Sequence, residues 1–455
     1  MTEGKGRAAL EKEPAAGAPS ERASRRGWYS VIVLAFVVML AHIDRGVIAL
    51  FVEPMKRDLS LSDTEVSLLL GFAFTFPYVV VGLPMSRVVD RGVRKRLIAF
   101  SLSIWSVATA LCGLAQNFWA LFFGRAVIGA SESVNTPATI SIIADAVPRD
   151  RLPRAYAIYH AGFTGGAAMA LFIGGVLIGL LAAVEPIPVP FVGVIRNWQL
   201  VFMIVGIPGL LVAALVMATV PEPPRRGATK PGGYPLREVV GSLKSQRALH
   251  LRLLPGMVLL SVMTQALVAW QPAFYERTYG WGPETAGPLL GMVALGSSVI
   301  GLIAGARLCE YLGKRTEDAN LRVLFLAQFL SLPVMALGPL MPNPWLALAC
   351  GALGSVFGVM GGPAFVSALQ IATPNEMRGQ VNVLYATLVN IIGGSVGPTL
   401  TGILTDLVAP SEADLRYVLV AIKVVVAPLA LFLIWKAMAP YGHIHRQKIE
   451  EEGQA

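Results

Sequence analysis

Two apolar stretches of this sequence contain ionisable side chains well inside their ends. One stretch holds Asp44 and Arg45, and another holds Arg125, Gly129 and Glu132, whose spacing of i, i+4 and i+7 places them on one helical face. Ionisable groups inside long apolar segments are costly, so they normally face the protein interior, find partners and serve a function. Two acids and two arginines can exchange partners, and such an exchange can make a carboxyl group bind or release a proton. We therefore predict that Asp44 and Glu132 are proton-responsive.

The depths of these four charges predict which of them can meet. Asp44 and Arg125 each lie seven positions from the end of their stretch on one side of the membrane, about 10 Å at 1.5 Å per residue. These two can pair at one level, while Glu132 lies about two turns further in, within reach of the long Arg45 side chain. With both acids ionised the four charges cancel. The alternative is a structural ion-pair network that only pins the two helices together.

Other side chains within apolar stretches are uncharged or isolated. To a substrate and charge network around Arg45 and Arg125 we add three polar residues: His42, Gln265 and Asn390. His42 lies two residues from Asp44. We expect the phenylalanines of the second stretch, Phe74 among them, to make ordinary lipid or bundle contacts.

A second group of charges follows the second apolar stretch. Asp90, Arg91 and Arg94 fit the signature Gly-x-x-x-Asp-Arg-x-Gly-Arg-Lys of the major facilitator superfamily, although both glycines of the signature are replaced. An acid here can meet the positive N-terminal end of a helix, near Gln380, when the cytoplasmic side closes. The alternative is a solvated loop rich in basic residues. To this cytoplasmic gate we assign Asp90, Arg91, Arg94, Asp145 and Arg151.

The composition is that of a membrane protein. Of 455 residues 55% are apolar and 14% are charged, against about a quarter charged in soluble domains. Twelve membrane helices of about 20 residues would account for most of the apolar positions. We predict an all-α integral membrane protein with twelve spans near 28–51, 65–86, 97–115, 118–146, 156–183, 198–220, 253–276, 286–308, 321–341, 345–371, 381–407 and 417–438.

The spans form two sets of six separated by a polar segment. Asp90 and Glu310 follow the second and eighth spans, and Pro148 and Pro374 follow the fourth and tenth, at nearly equal offsets that indicate a duplicated six-helix unit. We expect a disordered cytoplasmic tail over 1–27, bundles over 28–220 and 253–438, a cytoplasmic linker over 221–252 and a cytoplasmic tail over 439–455. Lysine and arginine concentrate in the tails and in the loops on their side of the membrane, so both termini should be cytoplasmic.

Several segments together resemble one family. They are His42-Ile43-Asp44-Arg45, residues 53–63, Gly124-Arg125 through Gly129 and Glu132, Ala144-Asp145, and residues 220–225. In this combination the chain resembles a bacterial Spinster homologue of the major facilitator superfamily, over essentially residues 28–438. It departs from the family at Ala41, His42 and Gly46, close to the expected substrate contacts.

The resemblance implies a fold and a function that composition alone does not. The fold would be two pseudo-symmetric bundles of six helices. The function would be proton-coupled, alternating-access transport of an amphipathic lipid such as a lysophospholipid or a sphingosine-1-phosphate-like molecule. Asp44 and Glu132 would carry the coupling proton, and Arg45 would contact them or an anionic headgroup.

The sequence leaves three other functions open. A drug or small organic solute transporter would share the fold, and a passive lipid channel or scramblase would need no proton. A membrane-embedded enzyme is opposed by the lack of a His/Cys metal cluster, a nucleophile elbow or a phosphate-binding loop. The three cysteines, Cys112, Cys309 and Cys350, offer no disulfide framework or metal-ligand spacing.

The expected surroundings follow from these interpretations. The net charge of +9 is dispersed over short loops without a continuous basic patch, so we expect no nucleic-acid partner. We expect no cofactor other than the coupling proton, an amphipathic lipid as substrate, membrane lipids as neighbours and a monomeric chain. The expected location is the cell (inner) membrane.

Overall fold

The computed structural model describes residues 21–148, 151–225, 236–374 and 377–454. The first half contains nine helices and a small hairpin within these ranges. They are α1 (Glu21–Val47), α2 (Val52–Leu59), α3 (Asp63–Leu70), α4 (Phe72–Arg91), α5 (Arg94–Cys112), α6 (Phe118–Glu132), α7 (Asn135–Ala146), α8 (Leu152–Leu180), β1 (Ile187–Val189), β2 (Gly193–Ile195) and α9 (Asn197–Thr219).

The second half is built from one short helix and six long ones. They are α10 (Leu236–Ser245), α11 (Arg247–Tyr279), α12 (Pro283–Gly313), α13 (Ala319–Leu337), α14 (Pro344–Ala372), α15 (Arg378–Val408) and α16 (Leu415–Gln454). Within the described ranges, eleven helical segments are long and apolar enough to cross a membrane. The predicted fourth span is not among them because it is divided between α6 and α7.

Two prolines explain where helices in the first half are interrupted. Pro137 cannot donate a hydrogen bond to the carbonyl of Ser133, and its ring crowds that carbonyl, so α6 stops at Glu132 and α7 restarts at Asn135. Pro54 has the same effect four residues upstream, where a 3-10 turn over Ile48–Phe51 separates α1 from α2. Both interruptions lie within two turns of the charged residues of the sequence pattern.

Helix ends elsewhere follow local capping rules. Ser62 begins α3 with a capping box, since its hydroxyl accepts from the Glu65 backbone N–H while the Glu65 carboxylate accepts from Ser62. The Asn117 side chain accepts from the Ala120 N–H at the start of α6. Gly280 ends α11 in the left-handed conformation, φ 70°.

Besides the divided fourth span, the described residues differ from the sequence prediction at four places. Helix α1 begins at Glu21, so the last seven residues of the predicted disordered tail are helical; residues 1–20 lie outside the described residues. The predicted linker contains α10, and its residues 226–235 lie outside the described residues. Helix α16 continues through the predicted C-terminal tail to Gln454. A two-stranded antiparallel hairpin, with Ile187 opposite Ile195, stands between α8 and α9 in an otherwise helical chain.

The two halves pack tightly against each other at one end of the molecule. Helix α8 meets α12 through glycines: a Cβ added at Gly287 would lie 2.6 Å from the Leu171 carbonyl oxygen, and one added at Gly175 would lie 2.7 Å from the Pro283 carbonyl oxygen. Helix α3 packs against α15 in the same region, where a Cβ on Gly402 would meet the Asp63 backbone. We call this region the closed end.

The hydrophobic core has the same asymmetry. One core fills the first half and continues into the second through Trp270, Phe274 and Tyr275 of α11, near the closed end. A separate core, which includes Leu249, Tyr385 and Tyr441, belongs to the second half and lies toward the last turns of α16. We call that side, which carries the start of α1 and the end of α16, the open end. The cores therefore join the halves at the closed end.

Candidate functional site

The first half positions its charges by packing α1 closely on α8. A Cβ added at Gly166 of α8 would lie 2.8 Å from the His42 Cβ, and one added at Gly46 of α1 would lie 2.7 Å from the Ala170 Cβ. Small residues at these positions allow the two helices to approach closely. The unusual glycine at position 46 thus brings α1 against α8 directly beside Asp44 and Arg45.

The opposite wall of the site is α6, crossed by α4. Arg125, Gly129 and Glu132 are buried on one face of α6, as their spacing predicts. A side chain at Gly129 would collide with the backbone of Phe74, so glycine is what lets α4 cross between the two charged residues. The Phe74 ring lies 4.2 Å from the Arg45 guanidinium carbon and 5.2 Å from that of Arg125.

One of the two predicted ion pairs is formed. Arg45 Nη2 lies 2.7 Å from Glu132 Oε2. Asp44 does not pair with Arg125; its Oδ2 accepts a 2.6 Å hydrogen bond from the Thr109 hydroxyl of α5. Among the described residues, the guanidinium nitrogens of Arg125 and the second carboxylate oxygen of Asp44 have no hydrogen-bond partner.

The four charged groups differ in their exposure. Asp44, Arg125 and Glu132 are at most 3% exposed, whereas 35% of the Arg45 side chain is accessible. Arg45 also contacts the Tyr78 ring, 5.5 Å from its guanidinium carbon. Arg45 is therefore the accessible member of the group, and Glu132 is connected to the surface through Arg45.

The three added polar residues lie at different distances from this centre. His42 is beside it: its Nδ1 contacts the Val38 carbonyl oxygen at 2.8 Å and its ring lies 4.0 Å from the Phe163 ring. Gln265 is near the junction of the halves, because a Cβ on Gly394 of α15 would lie 3.9 Å from Gln265 Nε2 and 3.2 Å from Thr75 Oγ1 of the first half. Asn390 is exposed on α15 and donates to the Ala386 carbonyl. The structure thus places only His42 next to the charges.

The predicted gate residues separate into two groups. Arg94 is fully buried and joins three segments of the first half: it pairs with Asp145 of α7 and, at 2.7 Å, with Glu222 after α9. Asp90 and Arg91 are exposed at the end of α4, and Arg151 is exposed before α8. Arg94 and Asp145 therefore hold the first half together.

A network at the closed end was not predicted from the sequence. Arg277 of α11 forms two hydrogen bonds to Asp63 of α3, at 2.6 and 2.7 Å, and a third of 2.6 Å to Glu53 of α2. Lys56 lies 2.6 Å from Asp63 and 2.9 Å from Glu412 of the second half. The side chains of Arg277 and Asp63 are 2% and 3% exposed. Arg277 and Asp63 therefore connect the halves away from water, and we call Arg277, Asp63, Glu53 and Lys56 the latch.

Asp406 of α15 adds a second connection between the halves. Its carboxylate accepts from the backbone N–H groups of Asp63 and Thr64 at 3.2 and 2.7 Å. An acid at this place stabilises the positive N-terminal end of α3. The sequence signal for the whole network was the concentration of charges in residues 53–63 together with Arg277 at the end of a span.

Thr109 and Phe74 are functional-site residues that sequence analysis missed. Both are uncharged residues within apolar stretches, so nothing in the charge pattern marks them. Within the described residues, no group of three or more His, Cys, Asp or Glu side chains could hold a metal ion.

Comparison with known proteins agrees with this architecture. The family model described as Major Facilitator Superfamily matches residues 34–398. An MFS-type efflux pump of Mycolicibacterium smegmatis is 27% identical over 388 residues, 84% of this chain and 85% of that protein. Protein spinster of Drosophila melanogaster is 22% identical over 345 residues, 72% of this chain and 54% of that protein.

A solved structure has the same fold. It is a bacterial homologue of the human lysosomal transporter Spinster in an inward-facing, unoccupied conformation, with a TM-score of 0.74 and 23% identity, covering 93% of this chain and 98% of that one. The predicted fold class and the resemblance to Spinster proteins are confirmed.

Proposed function

The chain belongs to the Major Facilitator Superfamily, and from that premise we propose that it is a proton-coupled secondary active transporter of an amphipathic lipid, such as a lysophospholipid or a sphingosine-1-phosphate-like molecule. Its membership and its Spinster-like relatives indicate a multi-pass membrane transporter rather than an enzyme. The direct contact of Arg45 with Glu132 carries the finer proposal, because it links a buried acid to a cation that a substrate can reach.

The proposed orientation places both termini in the cytoplasm and the chain, as a monomer, in the cell (inner) membrane. The concentration of lysine and arginine on the side of the termini supports it. With this orientation the open end faces the cytoplasm, and the latch of Arg277, Asp63, Glu53 and Lys56 closes the extracytoplasmic side. The molecule would therefore stand in an inward-facing state.

The proposed coupling uses a shared guanidinium. While Glu132 is ionised it forms an ion pair with Arg45. Burying this pair in the bundle costs less free energy than burying either charge alone. Protonation of Glu132 removes its charge and frees Arg45 for an anionic headgroup. Binding of the proton and binding of the substrate would then be coupled. The coupling free energy cannot exceed the difference between the free energies with which the substrate interacts with the ionised and the protonated states. Asp44 is the second proposed proton site, with Arg125 as its electrostatic neighbour.

An amphipathic anion suits the surroundings of Arg45. The guanidinium offers a partly exposed charge for a headgroup, and Phe74 and Tyr78 beside it offer aromatic surface. Of the other polar residues, Gln265 lies at the junction of the halves and Asn390 on the exposed face of α15, where each could contact a substrate that spans both halves.

Transport by purified protein in proteoliposomes tests the proposal. A panel of labelled lysophospholipids and sphingosine-1-phosphate is offered with and without an imposed pH gradient. Gradient-dependent accumulation of one of these lipids supports the proposal. Equal flux in the absence of a gradient would identify a passive channel or scramblase instead.

The mycobacterial efflux pump favours a second candidate, export of a drug or small organic solute. Competition in the same proteoliposomes separates the two. Lysolipids should displace a labelled lipid substrate at much lower concentration than small polar solutes do, whereas a solute exporter would show the reverse order.

A further inference from the structure

A groove on the outer side of the second half lies between α13 and α16. Its volume is about 640 Å³, and its lining includes Asp318, Arg322, Phe325, Leu326, Trp435 and Lys436. Helices α13 and α16 pack against each other and against other helices of the second half. The groove is therefore separate from the site around Arg45, whose contacts lie in the first half.

The groove has a charged mouth and an apolar body. Arg322 is on the first turn of α13, and Lys436 follows the last residues of the apolar run of α16. Phe325 and Leu326 continue from Arg322 toward the middle of α13, and the exposed Trp435 precedes Lys436. This order, with cations and a tryptophan at the end of apolar helices, is typical of the boundary between headgroups and hydrocarbon.

Arg322 and Lys436 both have hydrogen-bond donors available to bind an anion. The Lys436 ammonium lies 4.7 Å from the Trp435 ring centre and has no carboxylate partner within 4 Å among the described residues. The Arg322 Nε donates to Asp318 at 2.6 Å, while its terminal nitrogens make no hydrogen bond to described residues and its side chain is 51% exposed. With Asp318 included, the mouth carries one net positive charge.

We propose that this groove binds an anionic phospholipid of the surrounding membrane leaflet. The phosphate would contact Arg322 and Lys436, and an acyl chain would lie along Phe325, Leu326 and Trp435. Charge complementarity selects an anionic headgroup, because basic pockets between membrane helices on the cytoplasmic side are suited to such lipids. The Asp318 carboxylate holds Arg322 in place and favours a headgroup of single charge, such as phosphatidylglycerol. This lipid is a bound neighbour, distinct from the transported substrate.

Binding of two lipids to the purified full-length chain in detergent tests the site. Native mass spectrometry compares dioleoyl-phosphatidylglycerol with dioleoyl-phosphatidylcholine for the wild type and for the variant Arg322→Gln with Lys436→Gln. Each cation near a membrane surface contributes about fivefold, so the variant should lose at least about tenfold of its preference for phosphatidylglycerol. Binding of phosphatidylcholine should change little.

The matched control removes two exposed cations at the same end of the molecule, Lys244 and Arg247, by substitution with glutamine. This variant should keep the wild-type preference. An equal loss in the control, or wild-type preference in the groove variant, would overturn the proposal.

Tryptophan fluorescence supplies a second, independent readout. Brominated phosphatidylglycerol bound in the groove should quench the fluorescence of Trp435. The difference in fluorescence intensity between the wild type and Trp435→Phe should therefore fall as this lipid is added. Unbrominated lipid should leave the difference unchanged. Absence of quenching while the lipid binds would place it elsewhere and overturn the site.

Discussion

At the residue scale, the site depends on one cation that is shared between a buried acid and an accessible space. Depth arithmetic along two helices predicted the contact of Arg45 with Glu132, because charged side chains within apolar helices leave few possible partners. The same arithmetic suggested a pair of Asp44 with Arg125, which the structure replaces with a 2.6 Å hydrogen bond from Thr109. A neutral hydroxyl on a third helix carries no signal in a charge pattern, so this partner could not be predicted.

Substitution of Glu132 by glutamine mimics the protonated acid at nearly constant shape. We expect Glu132→Gln to abolish or flatten the pH dependence of transport while the protein stays folded, because Arg45 is then free at every pH. Uptake measured against an imposed pH gradient provides the readout, and Glu185→Gln, an exposed acid in the loop after α8, is the control. A wild-type response to the gradient in Glu132→Gln would make Glu132 a structural pairing residue.

Removal of the Arg45 side chain should weaken substrate recognition itself. A hydrogen bond to a charged group contributes about 1.5–3 kcal/mol, so Arg45→Ala should raise the apparent KM for an anionic lipid by about 10- to 100-fold. Arg45→Lys keeps the charge but not the planar group, so its apparent KM should lie between those of the wild type and Arg45→Ala. An unchanged KM in Arg45→Ala would exclude the guanidinium as the headgroup contact.

Phe74 should stabilise the two arginines that flank it. A desolvated cation–π contact contributes about 2 kcal/mol, so Phe74→Leu should lower the midpoint of thermal unfolding in detergent by several degrees. The control is Phe72→Leu, since Phe72 lies two residues before Phe74 in α4 and its side chain is exposed. Equal shifts in the two variants would show that only ring volume matters at position 74.

At the element scale, hydropathy located the spans because each is a long apolar run, but the interruptions inside them follow from single residues. Pro137 divides the fourth span next to Glu132. Pro54 lies just after the 3-10 turn that separates α1 from α2 beyond Arg45. Both prolines are visible in the sequence. Their effect on the site depends on how the helices pack against each other. A proline in the sequence does not by itself indicate which face of the interrupted helix meets a neighbour.

The latch at the closed end should control how readily that end opens. Loss of one partner from a buried ion pair costs about 3 kcal/mol or more, so Arg277→Gln should shift the population toward opening of the closed end by about a hundredfold. Distances between spin labels at Glu185 and Pro342, exposed positions on the two halves, would report the shift. Arg57→Gln is the control, because the Arg57 side chain at the same end is 76% exposed. Unchanged distances in Arg277→Gln would show that helix packing alone closes this end.

At the scale of the whole molecule, the unequal cores and the latch fit one of the two states that the proposed transport by alternating access requires. Within the part of the chain that the structure describes, the apolar core continues between the halves near the latch, so opening that end must separate Trp270 and Phe274 from the first half. Sequence duplication predicted two related halves. The duplication could not predict at which end the halves would be in contact. Both ends are built from the same repeated pattern, and they differ only in how strongly the contacts between the halves hold each end closed.

The last prediction concerns that balance between the ends. As proposed, Asp90 meets the start of α15 near Gln380 only when the cytoplasmic side is closed, whereas Arg277 and Asp63 meet when the opposite side is closed. Asp90→Asn should therefore favour the inward-facing state, and Arg277→Gln should favour the outward-facing state. Because the two sites lie at opposite ends of the molecule, their effects should add, and the double variant should return toward the wild-type distribution.

Two pairs of spin labels, one at each end, would measure that distribution, with Arg87 and Val383 as exposed positions at the open end. In a molecule whose halves rock as rigid bodies, the two distances change in opposite directions in each single variant and recover together in the double variant. If the closed end opens in Arg277→Gln while the distance at the other end stays constant, the ends move independently. The gate and the latch would then be local contacts, and alternating access in this chain would need another source of coupling.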